Sequence, residues 1–215
     1  MAQVAGGSLR SAFCFIGAGG HHAGRDFFGG YCCFNDVVIA VAEARRATPL
    51  RRVAIVDTDA HHGDGTRDLV RQDPAILHLC ICGTAFESPD GTKADFPFPD
   101  PGEGEGMDAA YLALLDREVR PRVELFHPDL LVWYFGFDTH QGDYGDIGLT
   151  AAAFLGIADR MVALAEVSCA GRILVVLGGG SRTDLATALI PPVIARLIGH
   201  SPEGGELMLD SPAGR

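Results

Sequence analysis

Five short apolar runs, each about the length of a β-strand, alternate along the chain with segments whose apolar residues recur at helical spacing. Several runs are nearly continuous, which is typical of strands buried on both faces of a parallel sheet. The predicted strands are 12–17, 52–57, 75–82, 129–137 and 172–180, and the predicted helices are 34–46, 66–72, 107–119, 150–167 and 188–199. This order predicts an α/β fold with a largely parallel sheet flanked by helices on both faces.

Local signals set the limits of these elements. Thr150 is the predicted N-cap of the helix that follows it, and Pro121 is expected to end or kink the helix before it. Residues 83–106 are rich in glycine, proline and acidic side chains, and we expect them to form a long functional loop without regular structure. Residues 1–200 are predicted to form one domain and residues 201–215 a mobile tail.

Composition narrows the class of protein. The 215 residues are 47% hydrophobic and 21% charged, which is enough apolar material for a substantial core. The formal net charge of −11 argues against direct nucleic-acid binding, because that activity needs basic patches. No apolar stretch reaches the roughly 18 residues that a membrane span requires. These properties predict a soluble protein that acts neither on nucleic acids nor in a membrane.

The cysteines indicate the compartment. None of the six forms a C-x-x-C pair, which argues against a zinc ribbon. Cys14, Cys80 and Cys82 lie inside apolar runs, where a reduced cysteine behaves as a small hydrophobic residue. This usage predicts a reducing, cytoplasmic location.

Potential metal ligands gather where the predicted strands end. In the stretch "VDTDAHHGDGT" (56–66), Asp57, Asp59 and His61 project from the same side of an extended segment. Asp59 and His61 are placed to bind one metal ion together, and Asp138, at the end of another strand, is the best third ligand. Three protein ligands with an open position are typical of a catalytic site. This donor set suits Zn²⁺ and is compatible with Fe²⁺ or Mn²⁺.

Two adjacent histidines offer the proton-transfer groups that hydrolysis needs. His21 and His22 lie on a glycine-flanked turn after the first predicted strand. Asp57 and Asp64 are available to orient them, since a carboxylate beside an imidazole fixes its orientation and tunes its basicity. The residues alone therefore predict one metal ion, an activated water molecule and histidine-assisted hydrolysis.

Four motifs, "GGHHAG", "GGYCCFND", "VDTDAHHGDGT" and "PDLLVWYFGFDTH", occur in an order and spacing that match one family over roughly residues 5–200. The chain resembles the zinc-dependent histone deacetylase family, which includes acetylpolyamine amidohydrolases and acetoin-utilisation proteins. The resemblance implies the arginase/deacetylase fold, a parallel sheet flanked by helices. It also implies that zinc is bound by Asp59, His61 and Asp138.

The resemblance assigns further roles around this metal. His22, paired with Asp64, takes the position of the general base, and His21 with Asp57 forms a second pair. The wall of the tunnel that holds the acyl-lysine stem is formed in part by Gly30 and Tyr31, and a structural potassium ion near Asp57, Asp59 and His61 is a further family trait. His62, beside the metal ligands, is expected not to be a ligand.

Two features depart from the family pattern. Family members place a tyrosine after the glycine-rich strand end, where its hydroxyl polarises the substrate carbonyl. This chain reads "GGGSRTDLATA" and aligns Arg182 at that position. Losing such a donor costs about 10²–10³ in rate, and Arg182 is the first candidate to replace it, ahead of Tyr144. The segment before His21 is reduced to about twenty residues, so the N-terminal part of the family domain is predicted to be missing.

The leading interpretation is a metal-dependent amidohydrolase that removes an acyl group from an amine, such as acetyl-lysine or an acetylpolyamine. A second is an impaired relative that binds the metal and acyl-lysine, favoured by the missing tyrosine and the short N-terminus. An arginase-like ureohydrolase ranks third, because Gly63 and His140 stand where that two-manganese chemistry uses carboxylates. The short rim adds the hypothesis that a second subunit completes the site in a homo-oligomer.

Overall fold

A seven-stranded sheet with the order β1-β7-β6-β2-β3-β5-β4 forms the centre of the computed structural model, which describes residues 1–17 and 19–199. The strands are β1 (Ser11–Cys14), β2 (Val53–Asp57), β3 (Ile76–Ile81), β4 (Phe86–Glu87), β5 (Lys93–Phe96), β6 (Leu130–Phe135) and β7 (Ile173–Leu177). Neighbouring strands pair in parallel except at one edge, where β4 runs antiparallel to β5. The predicted largely parallel sheet is confirmed. The tail predicted at residues 201–215 lies outside the described residues.

The central strands are buried along their whole length. Val53 at the start of β2 is in register with Ile76 of β3 on one side and Leu130 of β6 on the other. Every residue of β2, β3, β6 and β7 is buried. Because neither face meets solvent, these strands need no alternation of polar and apolar residues, which explains their continuous apolar runs.

Helices cover both faces of the sheet, as predicted. They are α1 (Ala2–Ala5), α2 (Asp36–Ala47), α3 (Asp64–Val70), α4 (Met107–Leu114), α5 (Arg120–Phe126), α6 (Ala151–Cys169) and α7 (Thr183–Leu197). Val4, Val41 and Val70 of the first three helices pack in one apolar layer. The later four helices pack in a second layer on the opposite face, which includes Trp133 and Phe154.

Side-chain caps begin two of these helices. The Asn35 side chain accepts a hydrogen bond from the Val38 backbone N–H at 3.1 Å, at the start of α2. Thr150 accepts one from the Ala152 N–H at 3.3 Å, which confirms the predicted N-cap of α6. Each bond satisfies a backbone donor that lacks a partner within the helix.

The helix before Pro121 does not end at the proline, so the first of the two predicted outcomes, an end or a kink, is wrong. A five-residue π-helical segment, Leu115–Val119, joins α4 to α5, and Pro121 lies in the first turn of α5. Proline has no N–H to donate, and its absence is tolerated in a first helical turn. The wider π-helical turn precedes it, so the chain continues as a helix to Phe126.

The prediction of an unstructured loop over residues 83–106 is wrong in part, because β4 and β5 lie within it. The sequence "KADF" of β5 is too short to show a clear period, and its pairing with β3 determines its structure. Lys93 is buried and donates from Nζ to the carbonyl oxygens of Asp73 at 3.1 Å and Ile76 at 2.7 Å. These bonds satisfy an ammonium group that would otherwise be costly to bury.

Two further expectations concern the chain as a whole. None of the six cysteines forms a disulfide, consistent with their predicted reduced state. Within residues 1–17 and 19–199, no helix is both long enough and apolar enough to cross a bilayer. Neither finding assigns a compartment.

Candidate metal centre

The carboxyl ends of three neighbouring parallel strands deliver the candidate site. Asp57 is the last residue of β2, and Asp59 and His61 follow it directly. Asp138 follows β6, and the glycines 178–180 follow β7. Since parallel strands end at one edge of the sheet, these segments meet there, as the sequence predicted.

The three predicted metal ligands converge. Nδ1 of His61 lies 2.9 Å from Oδ2 of Asp138 and 3.2 Å from Oδ1 of Asp59. One donor atom from each residue lies within 4.8 Å of the other two. We call Asp59, His61 and Asp138 the carboxylate cluster. Both aspartates are buried, whereas the His61 side chain is 43% exposed, so the cluster is open on the histidine side.

The charges of the carboxylate cluster suit a cation. Burial alone would raise the pKa of Asp59, but hydrogen bonds from His61 and the charge of the nearby His21 hold the pKa below its usual range. Burial raises the pKa of Asp138 to about 6. The hydrogen bonds to Asp138 and Asp59 raise the pKa of His61 to about 10. In the absence of a metal ion, a proton on His61 therefore balances the carboxylates, and a bound cation would replace it.

A glycine-lined space surrounds these donors. A Cβ atom at Gly179 would lie 2.6 Å from Oδ2 of Asp59, 2.8 Å from Oδ2 of Asp138 and 2.5 Å from the Tyr144 hydroxyl. The backbone N–H of Gly179 donates to the same Asp59 oxygen. Only a residue without a side chain leaves this volume clear. Two carboxylates and one imidazole around such a space fit a zinc-type metal ion.

The two predicted His–Asp pairs are both formed. His21 Nδ1 lies 2.9 Å from Oδ2 of Asp57, and His22 Nδ1 lies 2.8 Å from Oδ1 of Asp64. The first pair is buried, whereas the Asp64 side chain of the second is 47% exposed. Burial opposes the charged form of His21, but the surrounding carboxylates, Asp57 foremost, raise its pKa to about 9. The two pairs therefore lie in different electrostatic environments.

A cavity of about 660 Å³ opens onto the carboxylate cluster and both histidines. Gly30 and Tyr31 line it, as the resemblance implies. Tyr31 is 97% exposed and, like Gly30, has a positive φ. A Cβ atom at Gly30 would overlap the His22 ring, so glycine is required for the wall to approach the imidazole.

The structure does not bring Arg182 to this cavity. Its guanidinium pairs with Asp184 and donates to the Gln141 carbonyl at 3.4 Å. Arg182 is the N-cap residue of α7, and its backbone N–H donates to Asp143. Because Asp184 offers a strong local partner for the arginine fork, the side chain lies along the surface instead of facing the metal ligands.

Tyr144 occupies the position that the sequence reasoning gave to Arg182. Its hydroxyl accepts a hydrogen bond from the Gly180 N–H at 3.0 Å. Its ring stacks on His61 with the centroids 5.2 Å apart. Burial, together with the Asp138 charge, raises its pKa above the usual value, so the phenol keeps its proton. The available signal was a tyrosine in the polar loop that follows Asp138.

Asp143, unlike Tyr144, was not among the residues predicted from the sequence. It accepts hydrogen bonds from the Ser181 hydroxyl at 2.8 Å and the Ser181 N–H at 3.1 Å. These bonds join the loop after β6 to the loop after β7, so Asp143 helps to place Tyr144 over the cavity. His140, by contrast, stacks on Phe154 and donates from Nδ1 to the Gln141 carbonyl, away from the carboxylate cluster.

Together, a largely parallel sheet, an Asp–His–Asp donor set and two His–Asp pairs at its carboxyl edge define a protein of the arginase/deacetylase fold. The family model for the histone deacetylase domain matches residues 1–196. The chain belongs to the histone deacetylase family.

Individual relatives agree with this assignment. The chain is 30% identical to histone deacetylase 4 of Caenorhabditis briggsae over 97% of its own length and 25% of that protein. It is 32% identical to a probable deacetylase of Archaeoglobus fulgidus, over 82% of the chain and 55% of that protein. The crystal structure of the HDA15 HD domain is 28% identical, with a TM-score of 0.80 over 92% of the chain and 58% of that structure. The chain thus spans about half or less of the length of these curated relatives.

Proposed function

We propose that this protein is a metal-dependent deacylase that hydrolyses the amide bond of an acylated amine, such as acetyl-lysine or an acetylpolyamine. The carboxylate cluster and both His–Asp pairs converge on one cavity, and this convergence carries the proposal. The relatives are named as deacetylases, and this favours the same reaction class. Zinc is the metal that we propose for the carboxylate cluster.

The side chains of the cavity divide the work of hydrolysis. When bound, the metal ion would polarise the acyl carbonyl and lower the pKa of a water molecule. His22 accepts the proton of the attacking water, because its Nδ1 is held by Asp64 and its Nε2 side lines the cavity beside Gly30. That proton is then available to the leaving amine. The positively charged His21, held by Asp57, stabilises the negative charge that develops on the acyl group.

Tyr144 supplies the hydroxyl that the family normally takes from the residue after the glycine-rich strand end. Its oxygen already accepts the Gly180 N–H, so its own O–H hydrogen is free to donate into the cavity. The Gly179 position lies close to the Tyr144 hydroxyl and to oxygens of Asp59 and Asp138. A carbonyl oxygen bound beside the carboxylate cluster would therefore be within reach of this phenol.

The shape of the cavity suits an extended acylated side chain. Its walls near His22 are formed by Gly30 and the exposed Tyr31, with glycines 178–180 opposite. These glycines and the Tyr31 ring leave room for the uncharged, largely apolar stem of an acylated lysine. The structural potassium ion near Asp57 stays a prediction from the resemblance.

Hydrolysis of matched peptides tests the proposal. The zinc-loaded protein is incubated with acetyl-lysine and trifluoroacetyl-lysine peptides, with Asp138→Ala as the control that removes a metal ligand. We expect cleavage of both peptides, faster for the fluorinated one because its carbonyl is more electrophilic. We expect a loss of more than about 10³-fold in the control, since the metal supplies several kcal/mol of transition-state stabilisation. Zinc affinity, measured by calorimetry, should fall in the same variant.

Other results would contradict parts of the proposal. Cleavage of the fluorinated peptide alone would refute Tyr144 as an effective donor, while leaving the metal and His22 in their roles. Zinc binding without cleavage of either peptide would favour the alternative of an impaired acyl-lysine-binding protein. Equal activity of Asp138→Ala and the wild type would overturn the metal-dependent mechanism.

A further inference from the structure

A second group of metal-type donors lies beside the carboxylate cluster. It consists of His62, Cys80, Cys82 and Asp95, and we call it the sulfur cluster. One donor atom from each residue lies within 4.8 Å of the other three. Cys80, Cys82 and Asp95 are buried, and His62 is partly buried. The mechanism proposed above uses none of these four side chains.

The sheet itself assembles this cluster. Cys80 and Cys82 are two residues apart at the end of β3, so their side chains project from the same face. Asp95 of β5 is the registered neighbour of Cys80. His62 reaches the group from the loop after β2, where it follows the metal ligand His61. Three separate segments therefore contribute to one compact donor set.

We propose that the sulfur cluster is a second metal site, bound through both Cys80 and Cys82 sulfurs and Nδ1 of His62, with an Asp95 oxygen as the fourth ligand. Two sulfurs, one imidazole and one carboxylate form a tetrahedral set of the kind that zinc occupies in proteins. Because protein ligands fill all four positions, the site is structural, in contrast to the open carboxylate cluster. The proposal does not depend on the proposed deacylase activity.

The contacts of Cys82 support this assignment. Its Sγ lies 3.4 Å from Nδ1 of His62 and 3.4 Å from the Thr84 hydroxyl. Hydrogen bonds from Cys80, His62 and Thr84 outweigh burial and lower the pKa of Cys82 to about 4. The thiolate is the form of cysteine that binds metals. The Cys80 thiol, whose pKa is raised by burial, would release its proton on metal binding.

Asp95 is held in place by Arg67. The guanidinium donates to both carboxylate oxygens, from Nη1 at 3.1 Å and from Nη2 at 2.5 Å. An ionised carboxylate has about four lone-pair positions, so it can accept both bonds and still bind a metal ion. Oδ1 of Asp95 is 3.7 Å from Nδ1 of His62. Arg67 thus orients a ligand in the way that outer partners do in known metal sites.

A disulfide between the two cysteines is a poor alternative. Residues two apart on a strand have their Cβ atoms about 6.6 Å apart, from twice the strand rise. A disulfide requires roughly 3.5–4.5 Å between Cβ atoms. A metal ion about 2.3 Å from each sulfur spans the larger gap without moving the backbone. The His62 side chain, 32% exposed, provides a route by which the ion enters.

A filled sulfur cluster would anchor the loop that carries the catalytic side chains. His62 lies in this loop between the metal ligand His61 and Gly63, close to Asp64. A metal bound by His62 would therefore link this loop to β3 and β5 on one side of His61. We expect the ion to stabilise the fold without taking part in hydrolysis.

Cobalt spectroscopy of the full chain tests the proposal. Cobalt bound to thiolate sulfur gives a strong charge-transfer absorption in the near ultraviolet, whereas cobalt in the carboxylate cluster has no sulfur ligand. We expect two cobalt ions per wild-type chain and a sulfur band that Cys82→Ser weakens and the Cys80→Ser/Cys82→Ser double variant abolishes. Asp138→Ala should lose the other ion and keep the band. Cys33→Ser, which removes an exposed thiol outside the cluster, should leave both the stoichiometry and the band unchanged.

A second variant, at a partly exposed ligand, keeps the proposal testable if the buried cysteine variants fail to fold. His62→Gln alters the partly exposed ligand, and we expect its cobalt affinity at the sulfur site to fall by at least about 10-fold. Wild-type protein that binds one cobalt ion without a sulfur band would overturn the proposal. A band of full strength that survives in the Cys80→Ser/Cys82→Ser double variant would overturn it as well, because a thiol outside the cluster would then be the ligand.

Discussion

His61 and His62 are adjacent in the chain, yet they belong to two donor groups of opposite character. His61 joins two carboxylates at the mouth of a cavity of about 660 Å³. His62 joins two buried cysteines and a carboxylate that is already paired with Arg67. Successive side chains of an extended segment point in opposite directions, so one strand end supplies both groups. The first group leaves a coordination position open for substrate, which suits it to catalysis. The second group fills all four positions with protein ligands, which suits it to a structural role.

The largest expected effect concerns the side chains around the carboxylate cluster. Tyr144→Phe should lower kcat on an acetyl-lysine peptide by about 10²–10³, because a donor to the developing oxyanion is removed. The ring would still stack on His61, so KM and zinc affinity should change little. Steady-state kinetics and calorimetry measure these quantities. If Arg182→Ala produces the large loss in kcat and Tyr144→Phe does not, the assignment of the donor is wrong.

A change at the sulfur cluster should alter the stability of the protein and not the rate of hydrolysis. Arg67→Gln leaves Asp95 buried without its ion-pair partner, which should reduce the free energy of unfolding of the metal-free protein by about 3 kcal/mol. Added zinc should restore part of this loss, since the metal would then balance the carboxylate. Urea denaturation with EDTA or zinc measures both values.

Arg71→Gln is the matched control for this experiment. It breaks the pair with Asp68, in which the Arg71 side chain is 57% exposed. Such surface pairs contribute only about 0–1 kcal/mol, and zinc should make no difference. A similar, zinc-independent loss in both arginine variants would remove the distinction between the two regions.

A single added methyl group should weaken metal binding at the carboxylate cluster and leave the sulfur cluster unchanged. Gly179→Ala would place a Cβ atom among the Asp59, Asp138 and Tyr144 oxygens. We expect zinc affinity at the carboxylate cluster to fall by about 10–100-fold, as when the immediate support of a metal site is altered. The cobalt–sulfur band should not change. An unaltered affinity at the carboxylate cluster would show that the space around Gly179 is not needed by the metal.

The carboxylate cluster was predictable from sequence because its ligands obey local rules. Asp59 and His61 show the two-residue period of a strand end, and Asp138 follows the next buried run. The sulfur cluster was not predictable, because it depends on the lateral pairing of Cys80 with Asp95 in a strand that no period revealed. Cys80 and Cys82 alone are indistinguishable from small apolar residues.

Tyr144 was ranked below Arg182 as the proposed donor for a similar reason. Arg182 was selected by its alignment with the family, but a carboxylate two residues later, Asp184, holds its guanidinium. Tyr144 reaches the cavity because Asp143 ties its loop to Ser181, a contact between distant segments. Loop conformations of this kind follow from tertiary contacts, whereas strand ends follow from periodicity.

The last expected effect is a dependence of stability on pH that arises in the carboxylate cluster when no metal ion is bound. In the metal-free protein, the pKa values of His21 and His61 are raised to about 9 and about 10. The stability that these groups contribute is present below the unfolded value near 6.5 and is lost as pH rises through the folded values. Asp138, with a pKa raised to about 6, acts in the same direction at lower pH. Asp59 acts oppositely, but its contribution is complete above about pH 4.

Cys82, whose pKa is lowered to about 4, contributes stability that grows with pH over this range, but it offsets only one of the two histidines. The urea midpoint in EDTA should therefore still fall between about pH 6.5 and about pH 9. Zinc in the carboxylate cluster replaces the proton on His61, so its affinity rises with pH and should flatten this decline. The Asp138→Ala variant loses both the carboxylate that raises the pKa of His61 and the metal of the carboxylate cluster, so zinc should flatten its profile less than that of the wild type. A midpoint in EDTA that is constant or rises over this range would mean that the two histidines are not held protonated. In that case a proton does not balance the carboxylate cluster when it is empty.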